Sequence, residues 1–238
     1  MKEETRKKGV LLKDNVLTRL EENSTEKLFT EFNKGFVGGV IEAELEYSHE
    51  VRWEKFYRTE VRVKRFSGKE DLVPLIIPDL LIVKKPPSLK GKWVEVAGQF
   101  RSHRRKHKKN GHRPMDLFLF VTSIKIYDEE HEIEDTNNLI YLDGYLCKPP
   151  VYRETYRKRC ITDFLMAVNR PIYNKSDYIP CIAWGRTAQM VSKLAVGNRV
   201  ELYGRIQSRK YYKRETEYSE EGFKTAYEIS VKMIQEIE

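Results

Sequence analysis

With 238 residues, 40% of them hydrophobic, the chain can bury one large core or two of about 100 residues each, which excludes a wholly disordered polymer. Its 44 Lys and Arg outnumber 36 Asp and Glu for a formal charge of +8, while no apolar run reaches the roughly 18 residues of a membrane-spanning helix and no signal-peptide core opens the chain. Three cysteines (Cys147, Cys160, Cys181) with no CxxC pair argue against a disulfide framework or a zinc site, so a soluble, cytoplasmic protein with reduced, partly buried thiols is expected.

In chain order, residues 1–34 come first as an extension. The stretch DNVLTRLEENSTEKLFTEF spaces Val16, Leu17, Leu20, Leu28 and Phe32 as a short amphipathic helix would, and partial disorder is the alternative. Residues 35–128 then read as strands. Val94, Val96, Gly98 and Phe100 alternate with polar neighbours, the period of a sheet buried on one face. Glu42, Glu44 and Glu46 also alternate and could share a face to hold a metal, but a solvated edge strand accounts for them and no Asp/His pair accompanies them. The island RSHRRKHKKNGHR, Arg101 to Arg113, has seven Lys or Arg, three His and no acid. His103, His107 and His112 sit among charges that would repel a cation, so no metal site is expected. The acidic stretch at 129–138 has the composition of a linker. Residues 139–238 return to strands, with a short helix expected at GRTAQMVSKL from Gly185. From Val151 to Arg214 there are fourteen Lys or Arg against four Asp or Glu, a balance that points to a polyanionic partner.

The two strand-rich parts are copies of one another. Pro74 and Pro180, Gly91 and Gly197, Gly98 and Gly204, and Ser102 and Ser208 all share the offset of 106 residues. DLVPLII matches DYIPCIA, and LKGKWVEVAGQ matches AVGNRVELYGR, in the same register. A period near 100 is a domain duplication rather than a solenoid. Each copy offers about five strands and one short helix, which predicts an all-β protein of two tandem OB-fold five-stranded Greek-key barrels. The shared glycines fit places where barrel strands bend sharply.

The second copy has what an unpaired polynucleotide needs, rings for bases and cations for phosphates. In SDYIPCIAWGR, alternation sends Ile179, Cys181 and Ala183 inward and Tyr178, Ile182 and Trp184 outward. In the next strand Tyr203, Arg205, Arg209 and Tyr211 fall outward, with Lys213 beyond and Arg186 just after Trp184. In the first copy Leu72, Pro78 and Arg105 stand where Tyr178, Trp184 and Tyr211 stand in the second. That copy is expected to contribute charge through Arg101, Arg104 and Arg105, scaffold or subunit contact more than stacking; Trp53 and Trp93 are its possible substitutes.

The blocks GYLCKPPVYR, DFLMAVNR, DYIPCIAWGRTAQMV, LAVGNRVELYGRIQSRKY and AYEISV resemble the bacterial single-stranded DNA-binding proteins over about Leu139 to Glu238. The resemblance implies base stacking by Tyr178, Trp184 and Tyr211, with Tyr173 as a further family aromatic, and the doubled layout resembles a two-OB subgroup. It also implies four OB domains per working assembly, hence a homodimer. Family members often carry an acidic, Phe-terminated tail; this chain ends VKMIQEIE, so tail-mediated recruitment is not expected. The function so implied is sequence-tolerant binding and protection of single-stranded DNA in replication, recombination or repair, with no cofactor and no catalysis. A primosome or recombination accessory, or a single-stranded RNA binder, remains the alternative, because stacking does not separate DNA from RNA. No GxxxxGK[ST] phosphate loop is present to indicate ATP use.

Overall fold

The computed structural model describes residues 32–82, 88–104, 115–129, 131, 136–170, 175–214 and 222–237. Most of them are strand. The first barrel uses β1 (Asn33–Ile41), β3 (Glu54–Lys64), β4 (Glu70–Pro78), β5 (Trp93–Arg104) and β6 (Met115–Tyr127). β1 pairs with β3, β3 with β4, β4 with β6 in parallel, β6 with β5, and β5 returns to β1, so the sheet closes on itself. The second barrel repeats the circuit with β7 (Asn138–Leu146), β9 (Cys160–Asn169), β10 (Ser176–Trp184), β11 (Arg199–Lys213) and β12 (Gly222–Ile237). Each is the five-stranded Greek-key closure of an OB fold. A sixth strand is added to each as a hairpin, β2 (Glu46–Val51) on β3 and β8 (Val151–Glu154) on β9.

The helices differ from the expected pair. Helix α1 (Gly185–Val191) starts where the sequence places it and buries Ala188 and Val191 against the barrel. Its counterpart in the first barrel is only a 3-10 turn, Asp79–Leu81, entered from Pro78. Proline there leaves no amide hydrogen to donate, and its bulk replaces the flat ring of Trp184.

Period-two alternation builds the interior. Val94, Val96 and Phe100 of β5, and Val200, Leu202 and Ile206 of β11, belong to one core cluster. Gly98 and Gly204 face that core where neighbouring backbones crowd in: a Cβ at Gly98 would press into the Phe120 carbonyl oxygen, and one at Gly204 into that of Ser230. Both lie at register shifts of their hairpins, so the repeated glycine marks a bulge and a close backbone approach together.

The barrels are joined by their first strands. β1 runs antiparallel to β7 from Asn33 opposite Leu142 to Val37 opposite Asn138, so the β-sheet is continuous across the molecule. Residues 1–31 of the expected N-terminal extension, including Val16, Leu17, Leu20 and Leu28, lie outside the described residues, as do 130 and 132–135 of the expected linker. Asn33 and Lys34, assigned to that extension, open β1, and Asn138, assigned to the linker, opens β7. No helix among the described residues is long and apolar enough to cross a membrane.

Two clasps also hold the barrels together. Asp177 accepts from the Ser102 amide at 2.6 Å and from the Arg170 guanidinium, and the Tyr178 amide donates to the Ser102 hydroxyl at 2.8 Å. In mirror image, Asp71 accepts from the Ser208 amide at 2.9 Å and from Arg65, and the Leu72 amide donates to the Ser208 hydroxyl at 2.9 Å. The serine and aspartate repeated at the 106-residue offset are therefore the residues by which each barrel holds the other.

Candidate nucleic-acid interface

β10 carries its aromatic residues at its two ends. Ile179, Cys181 and Ala183 are buried in the core, and Tyr178 and Trp184 are each 42% exposed. Six residues of strand separate the two rings by about 20 Å. Ile182, expected outward, is only 4% exposed. It does lie on the outer face, but there it forms the apolar floor of a groove, with Ile161 and Val231.

That groove, about 670 Å³, is walled by Trp184, Arg205 and Arg209 of the expected set. It also gathers five cations that alternation along β10 and β11 does not reach: Arg153 and Arg159 from the β8–β9 hairpin, Lys232 from β12, and Arg65 and Lys69 from the first barrel's β3–β4 turn. In all, seven Lys or Arg and two carboxylates line it. Both carboxylates have cationic partners, Glu70 with Arg62 at 3.0 Å and Glu228 with Arg209 at 3.7 Å. Gln207 donates to Glu228 as well. A ridge formed by Trp184 separates this groove from a second cavity, where Arg186, Lys158 and Gln189 lie on its other side.

Several expected contacts are elsewhere. Tyr203 is a correction: it is 5% exposed, packed at 5.0 Å against Tyr141 with Phe36 and Leu139. Alternation does place it on the outer face, but β7 pairs beside it and Tyr141 covers the ring. Arg101 is a second correction. Its guanidinium lies over the Phe120 ring, 4.3 Å from the centroid, and donates to Gln99 at 2.6 Å. Burial, and then the charge of Arg170, lowers its proton affinity. Tyr211 is 37% exposed on the protruding β11–β12 hairpin with the Arg209 guanidinium 6.0 Å from its ring, but it does not line the groove. Tyr178 lies at the clasp with Ser102, also outside the groove. Arg104 is exposed at the end of β5. Tyr173, Arg105 and the side chain of Lys213 lie outside the described residues, as do His107 and His112.

Among the described residues the other chemistry weighed from sequence finds no geometry. Glu42 and Glu44 do not share a strand face; they lie in the break between β1 and β2, where Glu42 accepts from Arg62 at 2.7 Å and Glu44 from Ser88 at 2.8 Å. Among the described residues no three His, Cys, Asp or Glu side chains cluster to hold a metal. The three cysteines are free, and burial raises the thiol pKa of Cys147 and Cys181. The first barrel's substitutes also separate: Trp93 is buried with His131 stacked 6.0 Å away, whereas Trp53 is 92% exposed at the β2–β3 tip.

Comparison with known proteins gives the same answer from three sides. The model of the single-strand binding protein family matches residues 137–236, the second barrel. Single-stranded DNA-binding protein 1 of Clostridium acetobutylicum is 36% identical over 83 residues, 31% of this chain and 74% of that protein. Single-stranded DNA-binding protein A of Bacillus subtilis is 36% identical over 80 residues, and protein 3 of Listeria innocua 35% over 80; the chain spans 46% and 50% of their lengths. Across both barrels, the crystal structure of the wild-type single-stranded DNA binding protein from Thermus aquaticus superposes with a TM-score of 0.65 at 14% identity, covering 87% of this chain and 93% of that one. The curated matches carry the residues of the second barrel, the structural match carries the doubled OB architecture, and together they establish that this chain belongs to the single-strand binding protein family.

Proposed function

We propose that the protein binds single-stranded DNA with little regard to sequence and protects it during replication, recombination or repair, without catalysing a reaction. The observation that carries this reading is the groove beside Trp184, where a half-exposed indole meets seven cations over an apolar floor. A ring at the rim suits any base, and scattered guanidinium and ammonium groups suit a flexible phosphate chain. Tyr178 and Tyr211 extend the stacking surface to either side, Arg186, Arg205 and Arg209 neutralise phosphates, and Arg104, with Tyr173, Arg105 and Lys213, adds to the path. Two barrels per chain and four per working assembly make the protein a homodimer, which light scattering measures directly.

The test is titration of intrinsic tryptophan fluorescence with oligo(dT) at two salt concentrations. Binding quenches Trp184 emission, and log affinity falls with log salt at about −0.7 per phosphate contacted. Trp184→Ala with Tyr211→Ala weakens binding by about 1–3 kcal/mol for each lost stack while leaving the circular dichroism unchanged. Equal affinity in that double variant removes both rings from the site, and tighter binding of oligo(U) than oligo(dT) makes the ligand RNA.

A further inference from the structure

We propose that the first barrel acts on the second barrel's groove within the same chain: its β3–β4 turn forms the far wall of the single-strand path, and Lys69 holds a phosphate there. The inference rests on the single-strand-binding reading and adds a role for the copy that lost its rings.

The turn sits at the groove because the clasp holds it there. Asp71 begins the run that bonds Ser208, and Ser208 lines the groove next to Arg209. Arg65 closes on Asp71, and the turn is tied internally by the Arg65 amide on the Lys69 carbonyl and the Gly68 amide on the Arg65 carbonyl. Arg65 is thus committed to Asp71 and aims the turn, while Lys69 is exposed at the rim. A further cavity, lined by Phe66 and Ser67, shares Arg65, Arg205 and Lys232 with the groove, so the two adjoin. A strand stacked on Trp184 and crossing β11 therefore runs onto the first barrel instead of ending in solvent. Among the described residues, the first barrel's own equivalent face is occupied by Arg101 lying on Phe120, and Pro78 stands where the second barrel has Trp184.

The experiment uses the full chain and oligo(dT) long enough to pass both barrels, at two salt concentrations. Lys69→Glu lowers affinity about tenfold, and Lys69→Ala makes the salt slope shallower by about 0.7, one phosphate. Lys193→Glu makes the same charge change on an exposed side chain that lines neither cavity, and lowers affinity less than twofold. Trp184 quenching at saturation is unchanged in all three. If Lys69→Glu and Lys193→Glu weaken binding equally while Trp184→Ala still weakens it strongly, the cis contribution is overturned and single-strand binding stands. If the unaltered protein shows no salt-dependent binding of oligo(dT), both fall.

Discussion

At position 184 the two copies diverge most sharply in chemistry. Trp184 stands half-exposed over a cationic groove, whereas its counterpart Pro78 leads into a short 3-10 turn. The first barrel fills the vacated face with its own side chains: Arg101 on Phe120, Phe120 5.8 Å from Phe56, and His49 stacked on Phe56 at 4.7 Å. That stack has a pH signature. Burial first, then the charges of His103 and Arg58, lowers the His49 pKa below its ordinary value. The unfolded chain therefore binds more protons than the native one, so stability rises with pH across and just below about pH 6.5. Urea midpoints should fall between pH 7.5 and 5.5, and His49→Phe, which keeps the stack, should flatten that dependence; an unchanged slope would remove His49 from the account. Parity along a strand was readable from sequence at this scale, since Tyr178, Trp184, Tyr203 and Ile182 all lie on the outer face. Exposure was not, because Tyr203 is covered by Tyr141 of a strand whose pairing no local pattern reveals.

Among the elements, the repeat of Ser102 with Ser208 and Asp71 with Asp177 was visible as spacing alone. Its meaning required the β1–β7 junction, which brings each serine to the other barrel's aspartate. Asp177 is 2% exposed and accepts from Arg170 as well as the Ser102 amide. Removing one member of a buried ion pair strands the other charge, so Asp177→Ala should cost about 3 kcal/mol in denaturant unfolding. Asp71→Ala should cost a similar amount, and the two losses should add because the clasps share no residue. The same reasoning explains which cations the sequence concealed. Arg153 and Arg159 counted toward the basic second half but could not be assigned a face, since the β8–β9 hairpin folds back onto the groove only through its pairing with β9. Lys69 carried no signal, being one lysine in a turn of the copy that lacks the rings.

For the molecule as a whole, the junction and the clasps predict how it comes apart. Two barrels connected only by a linker would unfold independently. Here β1 and β7 share a ladder, and each barrel donates to the buried aspartate of the other, so unfolding either one strands hydrogen-bonding groups in its partner. The chain should therefore show one cooperative transition. Its three tryptophans allow the barrels to be followed separately, with Trp53 and Trp93 in the first and Trp184 in the second. Trp184→Phe reports on the first barrel alone, and Trp53→Phe with Trp93→Phe on the second. Their urea midpoints should coincide with each other and with the circular dichroism of the unaltered chain. Adding Asp71→Ala and Asp177→Ala to both reporters should separate the midpoints, because the β1–β7 ladder is then left to couple the barrels with only a few single hydrogen bonds beside it. If the midpoints differ before the clasps are cut, the barrels are energetically independent, and the proposed clamp of the first barrel on the second barrel's groove loses the rigid mounting it needs.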